Sequence, residues 1–292
     1  MPSISDPVYD LSDSWIVGVR PARSTVDPYR PYAHLIEKER GIDGCIEDVA
    51  TVFLTNKECP LRCLMCDLWK NTTESPVPPG AVPTQIRWAL ERLCRTRHIK
   101  LYNSGNFFDP QAIAPADYSQ IAEIVSSFDT VVVESHPRMV GRRCWDFGRM
   151  VRGALHVAMG LETVHPKVLP KLNKRMSLKD FEQAVHALKD HGMEVRAFIL
   201  LRPPFMSESE GVTWAKRSID FAFDTGVECC VVIPTRGGNG AMEVLAERGD
   251  FAPPTADSLA CVLDYGVSRG RGRVFADLWD IDKLLTCDRC KV

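Results

Sequence analysis

The chain of 292 residues lacks any apolar run long enough to cross a bilayer, so no membrane-spanning helix is expected. Its first residues, Met1-Pro-Ser-Ile-Ser-Asp-Pro7, lack the basic region and apolar stretch of a secretory signal. Excess charge of one sign is missing too. Lys and Arg total 36 against 38 Asp and Glu, a formal net charge of −2, so no chain-wide field favours nucleic acid. A local basic patch remains available in Arg138, Arg142, Arg143, Arg149 and Arg152. The 11 cysteines are odd in number and irregularly spaced, which excludes a secreted disulfide framework and points to a reducing cytoplasm. Internal repeats and low-complexity tracts are absent, and the length suits a single α/β barrel.

What is present is centred on Cys59-Pro-Leu-Arg-Cys63-Leu-Met-Cys66, placed just after the apolar run Val52-Phe53-Leu54. Thiolate is the soft ligand that iron–sulfur clusters take, and three of them hold three irons of a [4Fe-4S] cube, leaving the fourth iron free to bind a small molecule. Zinc is the competing reading, but it usually takes a second pair of ligands nearby, and the following stretch supplies none. A passive metal-binding module therefore stays open beside an enzyme. Asp67-Leu-Trp69 follows directly, and Trp69 either shields the site or is an ordinary core aromatic.

Along the chain, residues 1–48 have no clear period and are expected to form an N-terminal extension, with a short helix over 32–39. Strands are expected at 51–55, 99–102, 130–134, 155–159, 195–201, 228–233 and 274–276, with helices at 85–97, 116–128, 178–191, 208–225 and 254–268. Pro76, Pro78, Pro79 and Pro83 argue against regular structure before the first of these helices, which Thr84 is expected to cap. Strands alternating with helices mean parallel β/α units. The predicted fold is α/β: a partial (β/α)6 TIM-like barrel over 49–280 with short terminal extensions, ending in a tail at 281–292.

In such a barrel, chemistry collects where strands end. Asn103-Ser104-Gly105-Asn106-Phe-Phe-Asp109 follows the second strand, Glu134-Ser-His-Pro137 the third, and Gly160-Leu-Glu162-Thr163 and then Asn173-Lys-Arg175 the fourth. The fifth strand carries Arg196 and ends in Arg202-Pro-Pro-Phe205. The sixth ends at Val231-Val-Ile233 ahead of the Gly-rich Arg236-Gly-Gly-Asn-Gly240 loop. That loop lacks the Walker Lys-Ser/Thr ending and is expected to close over substrate. Cys229-Cys230 is expected in the core, and Cys45, Cys94, Cys144 and Cys261 are taken as structural. The tail pair Cys287 and Cys290 has the spacing of half a zinc or auxiliary-cluster site, a redox pair or a hold for a thiophilic substrate atom.

The C-x3-C-x2-C triplet in the loop after the first barrel strand resembles the radical S-adenosylmethionine (radical SAM) superfamily. The stretches Ser-Gly-Asn-Phe, Val-Glu-Ser, Gly-Leu-Glu-Thr and Arg-Pro-Pro-Phe look like the branch of the Elongator catalytic subunit and the archaeosine-synthesis radical SAM protein, over roughly 50–280. The resemblance implies a [4Fe-4S] cluster on Cys59, Cys63 and Cys66, SAM as cofactor and a one-electron reductant such as flavodoxin or ferredoxin. It implies that Ser104, Gly105 and Asn106, standing where the superfamily often has Gly-Gly-Glu, meet the SAM amine, with Glu134 nearby. Glu162 would accept from ribose hydroxyls, Arg196 or Arg202 would fork onto the SAM carboxylate, and Ile233 would present backbone to adenine. The implied substrate is a modified tRNA base. A small metabolite, which the balanced charge favours, is the alternative, including aminocarboxypropyl transfer with the tail cysteines binding substrate.

Overall fold

The structure is a computed structural model that describes residues 11–284. Cys287 and Cys290, with the second metal site expected there, lie outside the described residues. One 8-stranded sheet runs in simple chain order. Its strands are β1 (Ala33–Arg40), β2 (Ile46–Phe53), β3 (His98–Tyr102), β4 (Thr130–Glu134), β5 (Ala154–Glu162), β6 (Glu194–Leu201), β7 (Cys229–Pro234) and β8 (Arg273–Ala276). From β2 to β8 every neighbouring pair is parallel, whereas β1 is antiparallel to β2, with Ala33 opposite Phe53 and Arg40 opposite Ile46. The sheet curls until Arg273 of β8 donates to the Arg40 carbonyl of β1 at 3.1 Å, nearly closing a barrel. This is the TIM-like α/β fold expected.

The helices are α1 (Asp13–Gly18), α2 (Ala81–Leu90), α3 (Tyr118–Ile124), α4 (Arg142–Met150), α5 (Leu178–Asp190), α6 (Glu208–Thr225), α7 (Ala241–Glu247) and α8 (Ala256–Ser268). Strand alternation sends Val52, Leu101, Val133, Val157 and Ile199 outward to one cluster with Ile86, Ile121, Phe147, Phe181 and Ile219 of the helices. Each such side chain contributes about 1.5–3 kcal/mol on burial, and that layer holds the barrel together. Capping boxes start α5 (Ser177 with Asp180) and α6 (Ser207 with Glu210), as their sequences suggest.

Three local readings are corrected. The expected helix at 32–39 is β1. The run of Glu and Lys looks helical, but Glu37 and Glu39 fall on one face of a strand and meet Lys100 from β3, a tertiary pairing that overrides propensity. The first barrel helix begins at Ala81, ahead of Pro83, because a proline in the first turn removes an N–H that has no intrahelical partner there. The helix α4, unforeseen, buries only Cys144 and Phe147, too narrow a stripe to stand out among its arginines. Cys229 and Cys230 are buried as expected, while Cys45, Cys94 and Cys261 are exposed.

Candidate functional site

The cysteine loop leaves the C-terminal end of β2 and is fastened from several directions. Leu64 is fully buried against Ile16 of α1 and Met242 and Leu245 of α7. Its amide donates to the Leu172 carbonyl at 2.9 Å. The Asn173 side-chain amide donates to the Arg62 carbonyl at 2.8 Å. Asn239 Nδ2 donates to the carbonyls of Leu64 (2.7 Å) and Cys66 (3.2 Å). The Gly-rich loop expected to close over substrate is thus a brace for the cysteine loop. At Gly240, with φ +89°, a Cβ would sit 1.9 Å from the Val19 carbonyl, so only glycine lets this brace pass α1. Trp69 is buried under Arg20, whose guanidinium lies 4.5 Å from the ring centre.

Cys59, Cys63 and Cys66 are half-buried free thiols. Burial pushes all three upward, Cys63 to about 11, with the Lys174 ammonium pulling Cys59 and Cys63 the other way. Cys59 pushes the Cys63 thiol up, and both push up that of Cys66. Among the described residues no three His, Cys, Asp or Glu converge on a point suited to a single metal ion. A cube takes each thiolate at a separate iron, and coordination replaces the missing positive charge, so three clustered thiols beside a buried cation are a donor set of the right chemistry for it.

The loop after β3 lies directly on this one. A Cβ on Gly105 would come within 3.1 Å of Cys59 Cβ, and Asn106 Nδ2 donates to Cys59 Sγ at 3.2 Å. Glu134, at the end of β4, gives this loop its shape by accepting from the Asn103 amide at 2.9 Å. Burial raises the Glu134 carboxyl to about 7 against the pull of the amides of Asn103, Ser104 and Gly105. Ser104 Oγ pairs with the Tyr32 hydroxyl at 2.9 Å. Asn106 Oδ1 accepts from the His136 amide at 2.5 Å, and the ring Nε2 of His136 is 2.9 Å from the Lys174 carbonyl. Opposite, Lys174 pairs with Glu162 at 2.5 Å, both buried, above Gly160, where a Cβ would strike both charged groups. Backbone strain gathers at the same rim. Ser104, Glu162, Asn173, Arg175, Arg202 and Phe205 all have positive φ, and all lie at or beyond the C-terminal ends of strands.

The expected site residues divide. Ser104, Gly105, Asn106, Glu134 and Glu162 come together around the cysteines, and Ile233 packs in the same apolar cluster as Met65 of the cysteine loop. The two arginines need correction as free carboxylate clamps. Arg196 is buried with its guanidinium on Glu39 at 2.8 and 3.0 Å, and Glu39 stands opposite Glu47, at the other end of the barrel. Arg202 is tied to Glu208 at 2.5 Å and to the Pro253 carbonyl at 2.7 Å. The cation beside the cysteines is instead Lys174, which the sequence placed in a loop without a role. Tyr32, His136, Asn173 and Asn239 were missed as well, because each acts by touching a loop distant in sequence. Between rim and floor the lumen carries an aromatic run: Tyr32 to Phe53 (5.6 Å), Phe53 to Tyr102 (6.0 Å), Tyr102 to Phe198 (6.0 Å), and Phe53 to Trp279 (6.3 Å).

No family model matches the chain. The chain is 30% identical over 201 residues to archaeosine synthase subunit beta of Thermococcus kodakarensis, covering 66% of this chain and 62% of that protein, so it spans less than two thirds of that relative. In fold it is similar to Methanocaldococcus infernus Elp3 with an N-terminal deletion, at TM-score 0.55 and 17% identity over 69% of this chain and 54% of that one. It is also similar to TsrM, a radical S-adenosylmethionine methyltransferase of Kitasatospora setae with tryptophan and a SAM analog bound, at TM-score 0.50 and 15% identity over 68% of this chain and 39% of that one.

Proposed function

We infer that this chain, which has the fold of the radical SAM superfamily and resembles its Elongator and archaeosine-synthesis branch, reductively cleaves S-adenosylmethionine at a [4Fe-4S] cluster held by Cys59, Cys63 and Cys66. The observation that carries the reading is the meeting of Cys59, on the loop that carries all three thiols, with Gly105 and Asn106 at the C-terminal rim of the barrel. Held by Cys59, Cys63 and Cys66 and reduced by an external one-electron donor such as flavodoxin or ferredoxin, the cluster would supply the one-electron chemistry that opens a carbon–sulfur bond of SAM.

The residues of the chain do the positioning. Asn106 orients Cys59 by its N–H to the sulfur, and Gly105 admits the loop to that distance. Glu134 fixes the backbone of Ser104 and its neighbours, the groups that would receive the SAM amine. Glu162 has one oxygen on Lys174 and its other oxygen for ribose hydroxyls. Ile233 lines the adenine side. Phe53, Tyr102 and Phe198 line the lumen with rings, which suits a planar substrate, and the exposed Trp279 stands beside Phe53 at its edge. The likeness to an archaeosine synthase subunit favours a modified tRNA base as that substrate.

The test is anaerobic purification and reconstitution, reduction in the presence of SAM, and identification of the nucleoside released, with and without tRNA. Brown protein that forms 5′-deoxyadenosine or methylthioadenosine, faster with tRNA, supports the reading. A colourless protein holding only zinc overturns it, and cleavage indifferent to tRNA directs the search to a small metabolite.

A further inference from the structure

Beside the rim, outside the cysteine site, lies a cavity of about 680 Å³ that the proposed SAM chemistry does not use, lined by Arg138, Arg142, Arg143, Phe108, Asp109 and Asp146 among others. This volume is within the range of ligand clefts. Three arginines face one opening in a chain whose net charge is −2. The Arg143 side chain makes no hydrogen bond or ion pair among the described residues, and the Arg142 side chain is 94% exposed with only a 3.7 Å contact to Asp146. Arg138 donates to the Arg175 carbonyl at 3.1 Å and forms no ion pair among the described residues, the opposing charge within its reach being the Asp180 carboxylate that it draws down. Of the two carboxylates in the lining, Asp146 pairs with Arg149, and Asp109, whose Oδ1 accepts from the Gln111 amide at 2.9 Å, keeps its negative charge, so the guanidinium groups outnumber the carboxylates by one. The α4 start at Gly141 has no side-chain cap, so its first amides add to the positive field.

The walls of this cavity continue the loops that contact Cys59. Asp109 follows Asn106 by three residues, at most roughly 10 Å of chain, and Arg138 follows by two the residue whose amide holds Asn106. We propose that this arginine-lined cavity binds the phosphodiester backbone of an RNA substrate, gripping phosphates next to the nucleotide whose base enters the lumen. The proposal rests on the RNA reading of the site. Arginine forks match phosphate, and an open row of three exposed guanidinium groups suits successive phosphates rather than one enclosed ion.

Arg142→Glu/Arg143→Glu tests it. Both positions are exposed, and acidic residues at a helix start complement its dipole, so folding is retained, which circular dichroism and the thermal midpoint verify. Binding of a fluorescent tRNA transcript to the whole reconstituted protein is measured across a salt series beside Arg87→Glu/Arg95→Glu, an equal charge change on the surface of α2 and the loop after it. The cavity variant is expected to bind about 10-fold more weakly at low salt, with the slope of log K against log salt shallower by roughly 1.5, while the α2 variant stays within about twofold of wild type. Equal weakening in both variants, or none in the cavity variant, overturns the proposal and leaves the RNA reading standing. Wild type that fails to bind tRNA overturns both. Displacement of the RNA by a mononucleotide at equal phosphate concentration overturns the assignment to a polymer backbone.

Discussion

Replacing Glu39 with Gln removes the one carboxylate that touches both buried cations of the barrel floor. Arg196, 4% exposed, forks onto it at 2.8 and 3.0 Å, and Lys100, equally buried, pairs with it from β3. Burial pushes the Glu39 carboxyl up, but Arg196 and Lys100 overcome that and hold it at about 2 against an ordinary 4.5. At 1.36 kcal/mol per pKa unit that gap corresponds to about 3 kcal/mol. Stranding a buried cation costs about 3–5 kcal/mol, so the two routes agree. In a chain of this size the loss lowers the thermal midpoint by roughly 6–12 °C. Because the folded pKa lies below the unfolded one, the contribution is complete above pH 4.5 and fades as pH falls toward 2. Urea unfolding of wild type and Glu39→Gln at pH 7 and at steps below 4.5 reads both effects. Replacing Glu39 and Arg196 together by Met removes the stranded charge and recovers most of the loss. A difference under about 1 kcal/mol at pH 7, or one that does not narrow in acid, refutes the reasoning.

Cys63→Ala abolishes iron binding on anaerobic reconstitution, whereas Cys261→Ala, exposed on α8, keeps it, as iron per chain and visible absorption report. Gly240→Ala drives a methyl into the Val19 carbonyl and forces α1 off the brace, so stability falls by about 3 kcal/mol and α1 becomes open to proteolysis. His156, buried in the lumen, is lowered by burial from 6.5 to about 4, so its share of stability is intact above 6.5 and declines as pH falls toward 4. That share is about 3 kcal/mol, and wild type is expected to lose stability over that window while His156→Gln loses visibly less; parallel pH profiles count against it.

The fold was legible because its signal is local and repeated. Seven short apolar runs, five of them followed by a helical stretch, can be counted without knowing which touches which. Where a segment takes its structure from partners elsewhere, pattern fails. The residues of β1 read as helix since the cations that make Glu37 and Glu39 worth placing on one face arrive from β3 and β6. Arg196 was drawn to the rim for the same reason in reverse: a period of two says which face a side chain takes, not how far up the lumen it reaches or whether a carboxylate has already met it.

The site follows the same division. The three cysteines stood out because their spacing is itself the chemistry, and Gly105 because its lack of a side chain is a property of the letter. What holds them in place is asparagine from three separate loops, Asn106, Asn173 and Asn239, each pairing an amide with a sulfur or a carbonyl far away in sequence. Asparagine in a loop ordinarily signals a turn, so the bracing role has no mark of its own. The same logic explains why strain identifies the rim when composition does not. Non-glycine residues such as Ser104, Glu162 and Arg202 occupy left-handed backbone at a cost of about 1–3 kcal/mol each, and only the packing of several loops on one another sustains it. A rim built this way resists small shifts of any single loop, which is what holding a thiolate and a neighbouring backbone in fixed register requires.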